Sequence, residues 1–323
     1  MLILVMLVGI LSGCSSISSE TENITPVENT ESAELKENEG SNSKEWPKTI
    51  TDVKGNKIVL EKKPERITLL SVFYVEHFLA LGVQPTAVAL GDVFGQVTEL
   101  NESELFAPYL KSDDIMNIGK GNALNLEKII QSKPDVIITF SIHRGVDEIY
   151  DQLSAIAPVV LLDYTDPWDK QLSDCAEIVG KTAEADTLIK EIQEDIAKTK
   201  SAISKYTDRS FALFRTDGKT FISRALPSYY EDFGLVKPKY YPDTYKPLSL
   251  EGVAEMNPYY IVFQHNYDIA VAFVDSMKDS SVWQSLDAVK NNRVYYFDDY
   301  MNTMGPLAMK LTAKKLLEIY TQQ

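Results

Sequence analysis

Residues 125–140 read NLEKIIQSKPDVIITF and residues 249–264 read SLEGVAEMNPYYIVFQ. At an offset of 124 residues, Leu126, Glu127, Pro134 and Ile137 coincide with Leu250, Glu251, Pro258 and Ile261. The identities are few, but the order of residue types is shared: a polar cap, a short helix, a proline, then a strand. Asn125 and Ser249 can each accept from the free N–H groups of a first helical turn. DVIITF and YYIVF are nearly unbroken apolar runs, which suit strands buried on both faces of a parallel sheet.

Two further pairs extend the echo. Leu153 to Asp163 and Leu286 to Asp298 each read as a helix end, a turn and a strand ending in Asp. Arg66 to Gly82 reads as a strand (ITLLS) and a helix ending at Leu81-Gly82. Phe211 to Gly234 holds strands around Asp217-Gly218 and a helix ending at Phe233-Gly234. Both halves alternate strand and helix, which predicts parallel sheets with right-handed crossovers. Between them lies KTAEADTLIKEIQEDIAKTKSAISKY, residues 181–206, without Gly or Pro. Leu188, Ile189, Ile192, Ile196 and Ile203 recur at helical spacing, with charges filling the rest. A helix of that length spans about 39 Å and would act as a stiff strut between the halves.

Composition narrows the function classes. The chain has 323 residues, enough for about two domains. No apolar run reaches the roughly 18 residues a spanning helix needs, which excludes a polytopic membrane protein. The formal net charge of −15 argues against a nucleic-acid partner. Two cysteines build no disulfide scaffold and form no C-x-x-C. Cys175 sits in an apparent helix and reads as a buried, inert thiol.

The start, MLILVMLVGI followed by Leu11-Ser12-Gly13-Cys14, is too short to span a membrane and reads as a signal-peptide core, although no basic residue precedes it. Leu-Ser-Gly-Cys resembles the lipobox of bacterial lipoproteins, in which the Cys becomes the diacylated N-terminus. That resemblance implies lipidation at Cys14 and a tether on the outer face of the cytoplasmic membrane. Residues 14–46 carry 8 acids and 2 bases among Ser, Asn and Thr, too polar to bury a core. The expected organisation is a signal peptide (1–13), a disordered tether (14–46), an N-terminal α/β lobe (47–180), a bridging helix (181–206) and a C-terminal α/β lobe (207–323).

These pieces resemble the binding proteins of iron-siderophore and cobalamin ABC importers over about residues 48–320. The residues that carry the resemblance are Pro64-Glu65-Arg66-Ile67, Val75-Glu76-His77-Phe78-Leu79-Ala80-Leu81-Gly82-Val83-Gln84-Pro85, Asn125 to Ile129 with Lys133 to Ile138, Trp283 to Tyr295, and Gly305-Pro306-Leu307. The resemblance implies two Rossmann-like lobes bridged by a single long helix, with the ligand in the cleft between them. It also implies one exposed Glu on each lobe that meets Arg residues of the permease. Glu76 and Glu231 match those by position, with Asp232 beside the second; the plainer alternative is that both are solvated helix charges.

Ligands on open α/β sheets bind beyond the carboxyl ends of the strands. Those ends carry Phe73 and Tyr74 after ITLLS, His143 and Arg144 after DVIITF, Trp168 after VVLLDY, His265 and Tyr267 after YYIVF, and Asn302 after VYYFDDY. Arg215 and Arg224 lie around the first strands of the second half. Three of the chain's six arginines, Arg144, Arg215 and Arg224, thus fall at these ends. Guanidinium groups bind carboxylates and catecholate oxygens through forked, charge-assisted hydrogen bonds. An anionic ferric chelate matches such a pocket, with Trp168, Tyr74 and Tyr267 covering its organic faces. The competing reading of each arginine is a surface side chain lying over apolar neighbours.

A bare metal site is not expected, because three histidines with no H-x-H or H-x₃-H pairing supply too few ligands. His77 reads as a surface or packing residue. Haem remains open as a ligand because the chain holds 17 tyrosines. An enzyme is the rival class, but the chain has no G-x-S-x-G, Walker or G-x-G-x-x-G motif, and Gly119-Lys120-Gly121 does not open a helix. A purely structural surface lipoprotein has no need of a cleft. The expectation is therefore a monomeric, non-enzymatic binding protein without cofactor. It would capture a ferric siderophore, with cobalamin or haem as alternatives, and deliver it to an ABC importer permease dimer.

Overall fold

The computed structural model describes residues 46–90, 99–112, 114–264 and 266–321. Cys14, the leader, nearly all of the tether and His265 lie outside these residues.

The chain opens with an antiparallel hairpin of β1 (Lys48–Thr51) and β2 (Lys57–Leu60). The first lobe is built on a five-stranded, all-parallel sheet of β3 (Ile67–Leu69), β4 (Ala87–Val88), β5 (Met116–Asn117), β8 (Val136–Phe140) and β9 (Val159–Leu162). Its order is β5-β4-β3-β8-β9. A small hairpin of β6 (Gly119–Lys120) and β7 (Ala123–Leu124) stands beside it. Its helices are α1 (Val75–Ala80), α2 (Leu126–Ser132), α3 (Val146–Ser154) and α4 (Trp168–Val179). Strand β8 shows why its sequence is an unbroken apolar run. Val136 and Ile138 pack in one core with residues of α1 and α4, while Ile137 packs in another with residues of α2 and α3. Covered on both faces, the strand has no polar side to offer.

Helix α5 (Thr182–Ile203) follows as one unbroken rod of 22 residues, about 33 Å long. It buries Ala185, Ile192, Thr199 and Ile203 along a single stripe and leaves its charges outside. The second lobe holds β10 (Phe211–Thr216), β11 (Phe221–Ser223), β12 (Pro247–Leu248), β13 (Tyr260–Gln264) and β14 (Val294–Phe297) in the order β12-β11-β10-β13-β14. Its helices are α6 (Leu250–Met256), α7 (Tyr267–Ser276), α8 (Ser281–Ser285), α9 (Asp287–Lys290) and α10 (Pro306–Thr321).

The echo in the sequence is an echo in space. Helix α2 and strand β8 recur as α6 and β13 at the same offset of 124 residues. Asn125 and Ser249 cap the two helices, accepting from the N–H groups of Lys128 and Gly252. Lys133 and Asn257 end them with φ of 48° and 39°. The second sheet departs from the parallel expectation, because β11 runs antiparallel to both of its neighbours, β10 and β12. The Asp217 carboxylate accepts from the N–H groups of Lys219 and Thr220 at 2.9 and 2.8 Å, and Gly218 takes φ +84°. That tight turn reverses the chain in too few residues for a crossover helix.

Helix α10 does not stay in its own lobe. It packs along α5 and α1, and its first residues Leu307 and Ala308 join the first lobe's core together with Tyr300. Among the described residues no helix is long and apolar enough to cross a membrane.

Candidate functional site

The carboxyl ends of the two sheets carry different chemistry. In the second lobe, the Arg224 N–H donates to the Leu213 carbonyl at 3.1 Å, which sets Arg224 opposite Leu213 in the β10–β11 ladder. Arg215 lies two residues beyond Leu213 on β10, so both guanidinium groups leave the same face of the sheet. Neither has a carboxylate partner among the described residues; the ion pairs there engage only Arg293 of the six arginines. Arg224 donates to the Asn302 side-chain oxygen. Arg215 lies 5.6 Å from the Tyr245 ring centroid, and its buried Nε has no hydrogen-bond partner among the described residues. Burial, and then the Arg215 charge, pull the Arg224 guanidinium down to about 10. Two like charges in a partly desolvated place disfavour each other's ionisation.

The first lobe's end is aromatic. Phe73 follows β3, Phe140 closes β8 and Tyr164 follows β9. Their rings meet through Tyr164, at 6.0 Å from Phe73 and 5.3 Å from Phe140. Ile142, 66 % exposed, stands beyond the same strand end. Arg144 is exposed there and adds the only arginine of this wall. Trp168 is half-buried at the start of α4 and packs against the cores of both lobes. In the second lobe Tyr267 is exposed, its ring 5.6 Å from Tyr296. Five of the expected residues, Arg144, Phe73, Trp168, Tyr267 and Arg215, take accessible or half-buried places. Arg224 and Asn302 add a bonded pair. Phe140, Ile142, Tyr164 and Tyr245 went unnoticed in the sequence. Tyr164 directly follows the strand VVLLD and was legible by the same rule; Tyr245 lies in a loop with no strand to mark it.

Three expectations are corrected. Tyr74 is fully buried in the first lobe's core, its hydroxyl without a partner among the described residues, and burial pushes that hydroxyl far above its ordinary range. It cannot cover a ligand. His143 is 5 % exposed and both ring nitrogens are engaged, Nδ1 with the Thr139 hydroxyl at 2.5 Å and Nε2 with the Gly121 carbonyl at 2.6 Å. Burial lowers its pKa, so it is a neutral tie that pins the β6–β7 hairpin to the end of β8. His265 lies outside the described residues.

The third correction is Glu76. Expected on the surface, it is fully buried. One carboxylate oxygen accepts from the Thr303 hydroxyl and, at 2.9 Å, from the Gly305 N–H; the other accepts from the Ala308 N–H at 2.9 Å. Burial raises its pKa to about 7 against the pull of these donors. A Cβ on Gly305 would come within 2.3 Å of the Glu76 carboxyl, so only glycine admits it. A charge enclosed this way meets no permease. Glu231 is exposed on the short turn Ser228–Asp232, as expected. The exposed glutamates that do occupy equivalent places in the two lobes are Glu127 and Glu251, each in the first turn of its matched helix. His77, beside Glu76, is a packing residue whose burial holds it uncharged, with a pKa lowered to about 3.

A groove of about 560 Å³ between α5, α10 and residues 104–109 involves none of the strand-end residues. Two of its three lysines are already paired, Lys198 with Asp195 and Lys314 with Glu318. Among the described residues no cluster of His, Cys, Asp and Glu could hold a metal ion.

Residues 67–301 match the model of a family described as periplasmic binding protein. The chain is 25 % identical to a probable siderophore-binding lipoprotein, YfiY, of Bacillus subtilis, over 93 % of this chain and 90 % of the relative. It is 27 % identical to the iron(3+)-hydroxamate-binding protein FhuD of the same organism, over 77 % of this chain and 81 % of that one. Among solved structures, Staphylococcus aureus SirA complexed with staphyloferrin B shares the fold with a TM-score of 0.63. It is 23 % identical, with 84 % of this chain and 98 % of that one covered.

Proposed function

The chain belongs to the periplasmic binding protein family, and on that premise we propose that it captures an anionic ferric siderophore between its two lobes. The relatives named for their ligands point to iron chelates of more than one chemistry, so the choice among them falls to the site. The observation that carries it is the pair Arg215 and Arg224, on one face, without a carboxylate partner among the described residues. Catecholate or carboxylate oxygens of a ferric complex would answer both guanidinium groups with forked hydrogen bonds. Phe73, Tyr164 and Tyr267 would cover the organic part of such a complex.

In this reading the protein is a carrier and not a catalyst. Lipid on Cys14 would hold it on the outer face of the cytoplasmic membrane, beside an ABC importer permease. Docking would use Glu127 and Glu251, since the burial of Glu76 leaves Glu231 without an equivalent partner.

Tryptophan-fluorescence titration tests the ligand. Ferric citrate, a ferric tris-catecholate, a neutral ferric trihydroxamate, haem and cobalamin are each added to the protein. Binding is expected for an anionic ferric complex. Arg215→Ala and Arg224→Ala should each weaken it about 10- to 100-fold, the value of one hydrogen bond to a charged group. Tight binding of the neutral complex, haem or cobalamin alone, indifferent to both substitutions, would overturn the proposal.

A further inference from the structure

The Arg224 guanidinium makes one hydrogen bond among the described residues, to Asn302. Asn302 belongs to the 3-10 turn Asp299–Thr303, and that turn is fastened to the other lobe on both sides. On its upstream side the Asp298 carboxylate accepts from the Ser103 hydroxyl at 3.0 Å and the Glu104 N–H at 2.8 Å. On its downstream side the Glu76 carboxylate takes Thr303, Gly305 and Ala308. Within the turn, Tyr300 packs on Phe106 with centroids 4.5 Å apart. A ligand-site cation of the second lobe is thus held by a residue whose backbone is fixed by the first.

We propose that Glu76 is a positioning residue for the ligand site, acting through Thr303 and Asn302 on the Arg224 guanidinium. The proposal rests on the reading of Arg224 as an anion-binding group, and it adds how that group is aimed. Thr303 is the chain neighbour of Asn302, so loss of its bond to Glu76 frees the backbone that carries the Asn302 side chain. Among the described residues the Arg224 guanidinium has no second hydrogen-bond partner to hold it in place. A guanidinium that wanders pays its ordering entropy on every binding event, and affinity falls without loss of any ligand contact.

A double-mutant cycle tests this. Ferric citrate and a ferric tris-catecholate are titrated against the wild type, Glu76→Gln, Asn302→Ala and the double variant. Glu76→Gln keeps an acceptor oxygen but faces one N–H donor with its own NH₂. It should weaken binding about 3- to 10-fold, and Asn302→Ala about 10-fold. The double variant should be no weaker than Asn302→Ala, because Glu76 acts through that side chain. Additive losses overturn the proposal. A second readout needs no ligand: the Nε–Hε resonances of the six arginines, with Arg224 assigned by its absence in Arg224→Lys. The Arg224 signal should shift and broaden in Glu76→Gln, and an unchanged signal overturns the proposal. If the wild type binds neither chelate, the functional reading fails while the resonance still decides the positioning. Where Glu76→Gln does not fold, Thr303→Ala removes one donor of the same carboxylate and carries both readouts.

Discussion

At the start of α10, Gly305 brings no side chain and Pro306 no N–H, so the helix cannot cap itself. Glu76 does so from the other lobe, where the positive end of the helix favours a carboxylate. Burial works the other way and raises the group from its ordinary 4.5 to about 7. The sign of the pH effect follows. Between about pH 4.5 and 7 the folded state binds more of this proton than the unfolded state. Stability from this group is therefore complete below about pH 4.5, declines as pH rises to about 7, and is level above that. His77 stays neutral in the folded state through the window but titrates near 6.5 when unfolded, so its own contribution rises with pH, and that slope is common to both proteins and cancels in their difference. Thermal unfolding of wild type against Glu76→Gln from pH 4.5 to 8 should show a difference that changes by on the order of 1–3 kcal/mol across the window. A constant difference would refute it. None of this was legible beforehand. The sequence shows a Glu on a helix, and only the arrival of a segment from more than two hundred residues away decides that it is enclosed. His143 fails for the same reason: its partner Gly121 comes from a separate hairpin. Arg144 and Arg215 could be placed near strand ends from the sequence, because strand ends are local features.

Matched elements behave differently from single residues. The two copies of cap, helix, left-handed stop and strand fall at one offset in both sequence and structure, since each of those features depends on neighbouring residues. The family signature in the first lobe also has a plain structural origin. The Asp135 carboxylate accepts from the N–H groups of Glu65 and Arg66 at 3.0 and 2.9 Å, while Arg66 donates to the carbonyls of Ser132 and Lys133. The pair closes the end of α2 onto the start of β3. What the pattern did not convey was strand direction in the second lobe, because a tight turn and a crossover follow an apolar strand equally well. The matched helices make one claim at this scale. Glu127 and Glu251 should serve as a docking pair, setting orientation and encounter rate. Glu127→Lys combined with Glu251→Lys should abolish iron uptake in cells and leave chelate affinity unchanged. Normal uptake by the double variant would sink the assignment.

Two connections, not one, set the relation between the lobes. Helix α5 runs unbroken from one to the other, and the segment from Asp298 to Ala308 is bonded into the first lobe by Asp298 and Glu76. Lys315 adds a 2.6 Å ion pair to Glu104. Such a joint allows small rocking and resists the wide closure of hinge-type binding proteins. Small-angle scattering with and without chelate should give nearly equal radii of gyration. Against about 19 Å for a folded unit of this length, a drop of more than about 1 Å on binding would contradict it. The lodging of α10 in the first lobe also bears on how the protein is made. Leu307 and Ala308 complete a core begun by Ile50 and Leu60. A chain emerging N-terminus first from a translocation channel therefore cannot finish its leading half until its trailing end is out. Completion of that core waits on the start of α10, and a substitution that opens Leu307 or Ala308 should loosen the lobe that emerges first.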